Sequence, residues 1–238
     1  MNTTLVFAGG AGRRMNSSSK PKQFLEIHGK PIIIYTLEHF ERHKQIDSIV
    51  IVCIREWIGE LKGLISRYGI KKVHSIVPGG GTGHDSIYQG LISMREFAAA
   101  DDIILIHDGV RPLVTEELIT RNIEGVKSYG NAITCEAARE SVIRSKDGKD
   151  IADVPCRDEM YVAKAPQSFY YAKILRLYEQ AQKDGKKSID SAHLCSMYQE
   201  SMHMVQSTKN NIKITEPADF YICRALYDAQ ENQQIFGL

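Results

Sequence analysis

Thr4-Leu5-Val6-Phe7-Ala8-Gly9-Gly10-Ala11-Gly12-Arg13-Arg14-Met15 lies at the start of the chain. Residues 4–8 read as a buried strand, and the strand runs straight into a glycine-rich loop. Ser48-Ile49-Val50-Ile51-Val52-Cys53-Ile54 is almost wholly apolar and β-branched, which suits a parallel strand covered on both faces. Ile103-Ile104-Leu105-Ile106 is a third such run and ends at His107-Asp108. Helical patterns separate the runs. Pro31 opens one that carries Ile34 and Leu37; Trp57, Leu61, Leu64 and Ile65 form a second; Ile87, Leu91 and Met94 mark a helix over 85–97. Lys72 to Val77 is a further strand candidate. Strands alternating with helices predict a parallel sheet with right-handed crossovers. In such sheets ligands bind beyond the carboxyl ends of the strands.

The second half departs from this rhythm. Thr115 followed by Glu116-Glu117 predicts an N-capped helix with an acidic first turn. Ser141 to Arg144 and Asp150 to Val154 flank a segment containing Asp147-Gly148, a hairpin signal. That hairpin is polar and too poor in apolar residues to bury itself, and an isolated hairpin is marginal in water. A second copy of the chain is the simplest surface for it to pack on. Helical patterns return at 173–183, 191–198 and 217–230.

The chain has 238 residues, with 30 Lys and Arg against 29 Asp and Glu. This balance gives no global attraction to nucleic acid or to an anionic membrane. The five cysteines at 53, 135, 156, 195 and 223 are scattered and form no metal-ligand pair. Scattered thiols suit a reducing cytosol, and most should be buried. The N-terminus has no basic start, and no stretch approaches the ~18 apolar residues of a membrane span. The expectation is a cytoplasmic protein with no nucleic-acid and no membrane partner.

Candidate chemistry gathers at three places. Glycines after a strand let backbone N–H groups approach an anion closely, and Arg14 and Lys22 add cationic charge to the cradle of Ala8, Gly9, Gly10, Ala11 and Gly12. A polyphosphate needs that combination. Neither GxxxxGK[ST] nor GxGxxG is present, so P-loop ATPase and dinucleotide chemistry are poorly supported. Pro78-Gly79-Gly80-Gly81-Thr82-Gly83 precedes a helix start where Thr82 and Ser86 could hold a base or ribose. Asp108 ends the central strand, where a metal-binding carboxylate belongs; it could equally cap a turn or pair with Arg111. Magnesium is usually bound by one or two carboxylates plus substrate phosphates. His107 reads as a hydrogen-bonded structural residue. Arg157, Lys164 and Lys213 are further basic candidates that spacing alone does not select.

Taken together these motifs resemble a known family. The loop from Ala8 to Met15, Pro21-Lys22-Gln23, the Gly79-Gly80 turn, His107-Asp108-Gly109-Val110-Arg111-Pro112, Pro166-Gln167 and Asn211-Ile212-Lys213-Ile214-Thr215 follow the order of the ribitol-5-phosphate and 2-C-methyl-D-erythritol 4-phosphate cytidylyltransferases. The resemblance covers almost the whole chain. Glu56-Trp57-Ile58, the stretch from Asp153 to Tyr161 and Pro166-Gln167-Ser168-Phe169 are similar to the ribitol branch.

The resemblance implies an α/β fold: a single Rossmann-like nucleotidyltransferase domain over 1–238, with a mostly parallel twisted sheet and a protruding β-hairpin dimerisation arm at about 137–156. It implies that a polyol phosphate attacks the α-phosphorus of CTP and expels pyrophosphate, with Mg²⁺ as cofactor held at Asp108. Catalytic roles fall to Arg14, Lys22 and Lys213. Nucleotide contacts fall to residues 8–12, Gly80, Gly81 and Ser86. Acceptor contacts fall to Arg111, Ser141 and Arg157, the last two donated by the partner subunit of a homodimer with shared active sites.

Overall fold

The computed structural model describes residues 1–10 and 20–236. Strands β1 (Asn2–Ala8), β4 (Ser48–Cys53), β5 (Val73–Pro78), β6 (Ile103–Asp108), β7 (Asn131–Ala137), β8 (Tyr161–Tyr170) and β9 (Met204–Gln206) form one sheet. Strands β2 (Glu26–Ile27) and β3 (Lys30–Pro31) form a separate two-stranded ribbon. The sheet order is β5-β4-β1-β6-β8-β7-β9. The first four strands are mutually parallel, as the alternating pattern predicts. Strand β8 enters antiparallel between β6 and β7, and β9 closes the edge parallel to β7. Neither β7 nor β8 stands out in the sequence: β8 contains Pro166, and its first half faces solvent.

The apolar runs resolve into two faces once side chains alternate along each strand. Val6, Ile49, Ile51 and Leu105 face one way, toward α1 (Ile32–Arg42), α2 (Ile58–Arg67) and α4 (Glu116–Tyr129). Leu5, Val50, Val52 and Ile104 face the other way, toward α3 (Gly83–Ser93), α5 (Tyr171–Lys183) and α6 (Ser191–Met197). A third cluster packs α7 (Pro217–Phe236) over Ile27, Val110 and Ile214. It draws the C-terminal segment across the ends of β1 and β6.

The local signals match the elements in kind, with shifted ends. Thr115 caps α4, its hydroxyl accepting from Leu118 N–H at 3.2 Å. The helix expected over 85–97 spans Gly83–Ser93 and gives way to turns. Cys53, Cys135, Cys195 and Cys223 are buried, while Cys156 is exposed.

The arm needs correction. The chain does leave the sheet after Ala137 and reverse at Asp147-Gly148, where Gly148 has φ +76° and Asp147 accepts from the N–H groups of Lys149 and Asp150. The flanks do not form a ladder, however. A single antiparallel bridge joins Arg144 to Asp153. Both flanks are exposed, and among the described residues no third strand or helix covers them, so nothing there offsets the entropy of ordering two longer strands.

Candidate active site

Two glycine loops meet at the carboxyl end of the sheet. Gln23 pins the first. It lies in the turn after Pro21, is buried, and donates from Nε2 to the carbonyls of Ala8 (2.7 Å) and Gly10 (3.4 Å). Ser86 organises the second. Its hydroxyl accepts from Gly80 N–H at 3.0 Å and donates to the Thr82 carbonyl at 2.8 Å. A Cβ added to Gly9 would lie 3.2 Å from Ser86 Oγ, and one added to Gly79 would lie 3.0 Å from it. The two loops therefore abut through one buried serine. Gly80 tolerates no side chain, since its Cβ would sit 2.5 Å from that of Asp85. Gly81 is exposed beside it. Ala11, Gly12 and Arg14 lie outside the described residues.

Asp108 closes β6 with both carboxylate oxygens engaged. Oδ1 is 2.6 Å from Lys213 Nζ, and Oδ2 accepts from Arg111 Nε at 3.2 Å. Burial by itself would raise the Asp108 pKa, but the Lys213 and Arg111 charges outweigh it and hold the group well below the usual carboxylate range. Arg111 is itself buried and donates from Nη1 to the Asn211 carbonyl at 2.7 Å. Of the alternatives open in the sequence, the Asp108–Arg111 pair is the one formed. Beside it, His107 donates from Nε2 to the Arg111 carbonyl at 3.1 Å, and its ring meets the Phe40 ring edge-on. Complete burial pushes the imidazole down to about 3. His107 is therefore neutral at physiological pH and supports the turn.

The C-terminal segment completes this centre. Ile214 N–H donates to the Val110 carbonyl at 2.9 Å, and Lys22 Nζ donates to the Ile214 carbonyl at 2.8 Å. Lys22 and Lys213, remote in sequence, are thus joined across one residue at the end of β6. A cavity of about 230 Å³ opens here, lined by Phe7, Asp108, Arg111, Lys164, Asp190 and Lys213 among others. Three of these carry positive charge and two negative, which suits a phosphate-bearing ligand.

Ser141 and Arg157 do not reach this cavity in their own chain. Both are exposed on the arm, and the Arg157 guanidinium is 3.6 Å from the carboxylate of neighbouring Asp158. Conversely, the sequence reading assigned no role to Gln167 or Asp190. Gln167 Nε2 donates to Asp190 Oδ2 at 3.1 Å, and Gln167 Oε1 accepts from Ala192 N–H at 2.9 Å. This pair fixes the start of α6 as a wall of the cavity. The Pro166-Gln167 motif was the available signal for it.

The family model for 2-C-methyl-D-erythritol 4-phosphate cytidylyltransferase (IspD) matches residues 3–228. The chain belongs to this cytidylyltransferase family. It is accordingly a nucleotidyltransferase, an enzyme of the CTP-dependent class. Two cytidylyltransferase relatives match from end to end, with 100% of both chains covered. The ribitol-5-phosphate cytidylyltransferase of Vibrio parahaemolyticus serotype O3:K6 is 48% identical. That of Streptococcus agalactiae serotype Ia is 46% identical. Among solved structures, the 4-diphosphocytidyl-2C-methyl-D-erythritol synthase of Anaerococcus prevotii superposes with a TM-score of 0.82 at 26% identity, over 95% of this chain and 96% of that one.

Proposed function

We propose that this cytidylyltransferase joins CTP to D-ribitol 5-phosphate, giving CDP-ribitol and pyrophosphate. The observation that carries the reaction class is the convergence of Lys213 and Arg111 on Asp108 beside two glycine loops, with Lys22 bound to the adjoining Ile214 carbonyl. An acceptor phosphate oxygen attacks the α-phosphorus of CTP, a new P–O bond forms, and the α–β bridging bond breaks with its electron pair leaving on pyrophosphate. A phosphate anion is already a nucleophile, so no side chain need be deprotonated. The enzyme aligns the two anions and neutralises charge, the usual source of rate in such transfers. The ribitol acceptor is supported by the two end-to-end relatives and by the ribitol-type stretch from Asp153 to Tyr161.

Magnesium belongs to the same proposal. Among the described residues no cluster of three His, Cys, Asp or Glu could hold a metal ion. Asp108 offers a single ionised carboxylate whose oxygens each keep a second lone pair beside Lys213 and Arg111, and it would fit an ion whose other ligands are phosphate oxygens and water. Such an ion would offset charge on the triphosphate.

A second copy of the chain is the partner we propose for the arm. Val142, Ile143, Ile151 and Val154 are exposed there, as are Tyr161 and Val162 where β8 begins. Covering them would carry Ser141 and Arg157 to the other subunit's cavity.

The deciding assay gives the enzyme CTP and Mg²⁺ with ribitol 5-phosphate or 2-C-methyl-D-erythritol 4-phosphate in parallel, and reads pyrophosphate release. Turnover with ribitol 5-phosphate is expected. Turnover with methylerythritol 4-phosphate alone would overturn the acceptor assignment in favour of the activity named for the family.

A further inference from the structure

The ladder between β7 and β8 breaks beside the cavity. Ile133 is opposite Gln167 and Cys135 is opposite Ala163, with a register shift between them. Two steps along β7 therefore face four along β8, and Lys164, Ala165 and Pro166 fall within the irregularity. A bulge leaves residues unpaired, bends the strand and re-aims side chains, and bulges are over-represented next to active sites. Lys164 and Ala165 both line the cavity here. The displaced backbone is secured: Ala165 O accepts from Asn211 Nδ2 at 2.8 Å, and the Asn211 carbonyl in turn accepts from Arg111. The bulge is thereby tied to the Asp108 centre.

The Lys164 side chain is only 11% exposed and pairs with Glu136 of β7. Glu136 also accepts from Arg139. Burial works against its ionisation, but the two cations hold its pKa below the ordinary value. One carboxylate facing two cations leaves positive charge at this rim.

Sheet order indicates which ligand that charge meets. The glycine loops follow β1 and β5, Asp108 ends β6, and Lys164 lies on β8, on the opposite side of Asp108 from both loops. With the nucleotide on the β1–β5 side, the acceptor approaches from β8. We propose that Lys164, presented by the β8 bulge and steadied by Glu136, binds the phosphate of the polyol phosphate acceptor directly. This deepens the reaction proposed above and rests on it.

The test is steady-state kinetics on the full-length enzyme. Lys164→Met should raise the acceptor KM about tenfold to a hundredfold, the loss of one charge-assisted hydrogen bond. The CTP KM should stay within twofold. Lys164→Arg should restore part of the acceptor affinity, and Glu136→Gln should raise the acceptor KM by a smaller factor. A purely structural ion pair gives another pattern: a lower thermal midpoint in Lys164→Met and Glu136→Gln with the acceptor KM unchanged, which overturns the proposal. If the wild type uses only methylerythritol 4-phosphate, the ribitol assignment fails and Lys164 is judged with that acceptor. If no polyol phosphate is turned over, the reaction itself fails. Titration of inorganic phosphate then decides Lys164, equal affinity in wild type and Lys164→Met overturning its role.

Discussion

Lys213 Nζ stands 2.6 Å from Asp108 Oδ1, although one residue ends β6 and the other lies between β9 and α7. The lysine is 40% exposed and the aspartate 15%. A half-buried anion thus holds a cation at the cavity mouth. Lys22 braces the same segment through the Ile214 carbonyl, so two lysine charges share one mechanical support.

Lys213→Ala and Lys22→Ala should each leave a folded protein with kcat reduced about 10²–10³-fold, the usual loss when a transition-state donor is removed. Because Lys22 also braces the Lys213 segment, the double variant should lose less than the product of the two single effects. Rapid-quench turnover and circular dichroism check this. Near-normal activity in both single variants would remove the lysines from the mechanism.

Mixed dimers test the proposed sharing of the site between subunits. Arg157→Ala should chiefly weaken acceptor use, and Lys22→Ala should lower turnover by the same factor of about 10²–10³. Subunits carrying one substitution each, co-expressed with different tags, should recover partial activity, because one cavity then holds wild-type residues from both chains. No recovery argues that the arm serves its own chain or none.

Two glycine substitutions should separate function from folding. A Cβ on Gly90 would lie 2.5 Å from Leu5 Cδ1 and 2.8 Å from Val52 Cγ2. Gly90→Ala should therefore destabilise by about 1–3 kcal/mol through overpacking, seen in urea unfolding. Gly80 lies in an exposed turn, where its Cβ would meet Asp85 at 2.5 Å. Gly80→Ala should displace the Asp85 turn and raise the CTP KM, with a smaller fall in unfolding midpoint than Gly90→Ala.

Acid should weaken the fold before it titrates the carboxylates. Burial lowers the pKa values of His39, His43, His84 and His107 from 6.5, that of His107 to about 3. Below pH 6.5 the unfolded chain binds protons that the folded core refuses, so stability falls as pH drops. Between pH 8 and 5, His107 alone contributes about 2 kcal/mol of that loss. Asp108 adds its own loss only at lower pH: its folded value lies below the ordinary 3.8, so its stabilisation is present above that value and lost as pH falls through the depressed one. Urea midpoints at pH 8 and 5 for wild type and His107→Gln check the prediction, and equal slopes would contradict it.

Some of this could be read without coordinates. The runs at 48–54 and 103–106 are apolar at almost every position, which suits a strand covered on both faces, and they flank β1 in the parallel core. The glycines and Asp108 follow strand ends, where the sheet places its cleft. The arm is paired less than its turn signal suggests. Asp147-Gly148 specifies the reversal, but a ladder also needs a neighbour to pack on, and one chain does not provide it.

By itself the sequence determined the parallel half of the sheet, the two glycine loops and the acid at the end of β6, because each is a local pattern of side chains along one segment. Only the tertiary structure decided that β8 inserts antiparallel between β6 and β7, that its bulge turns Lys164 into the cavity, and that Lys213 rather than another lysine meets Asp108. These are contacts between segments remote in sequence. Their partners are chosen by how the faces of the sheet are filled, and that choice leaves no periodicity in either segment alone.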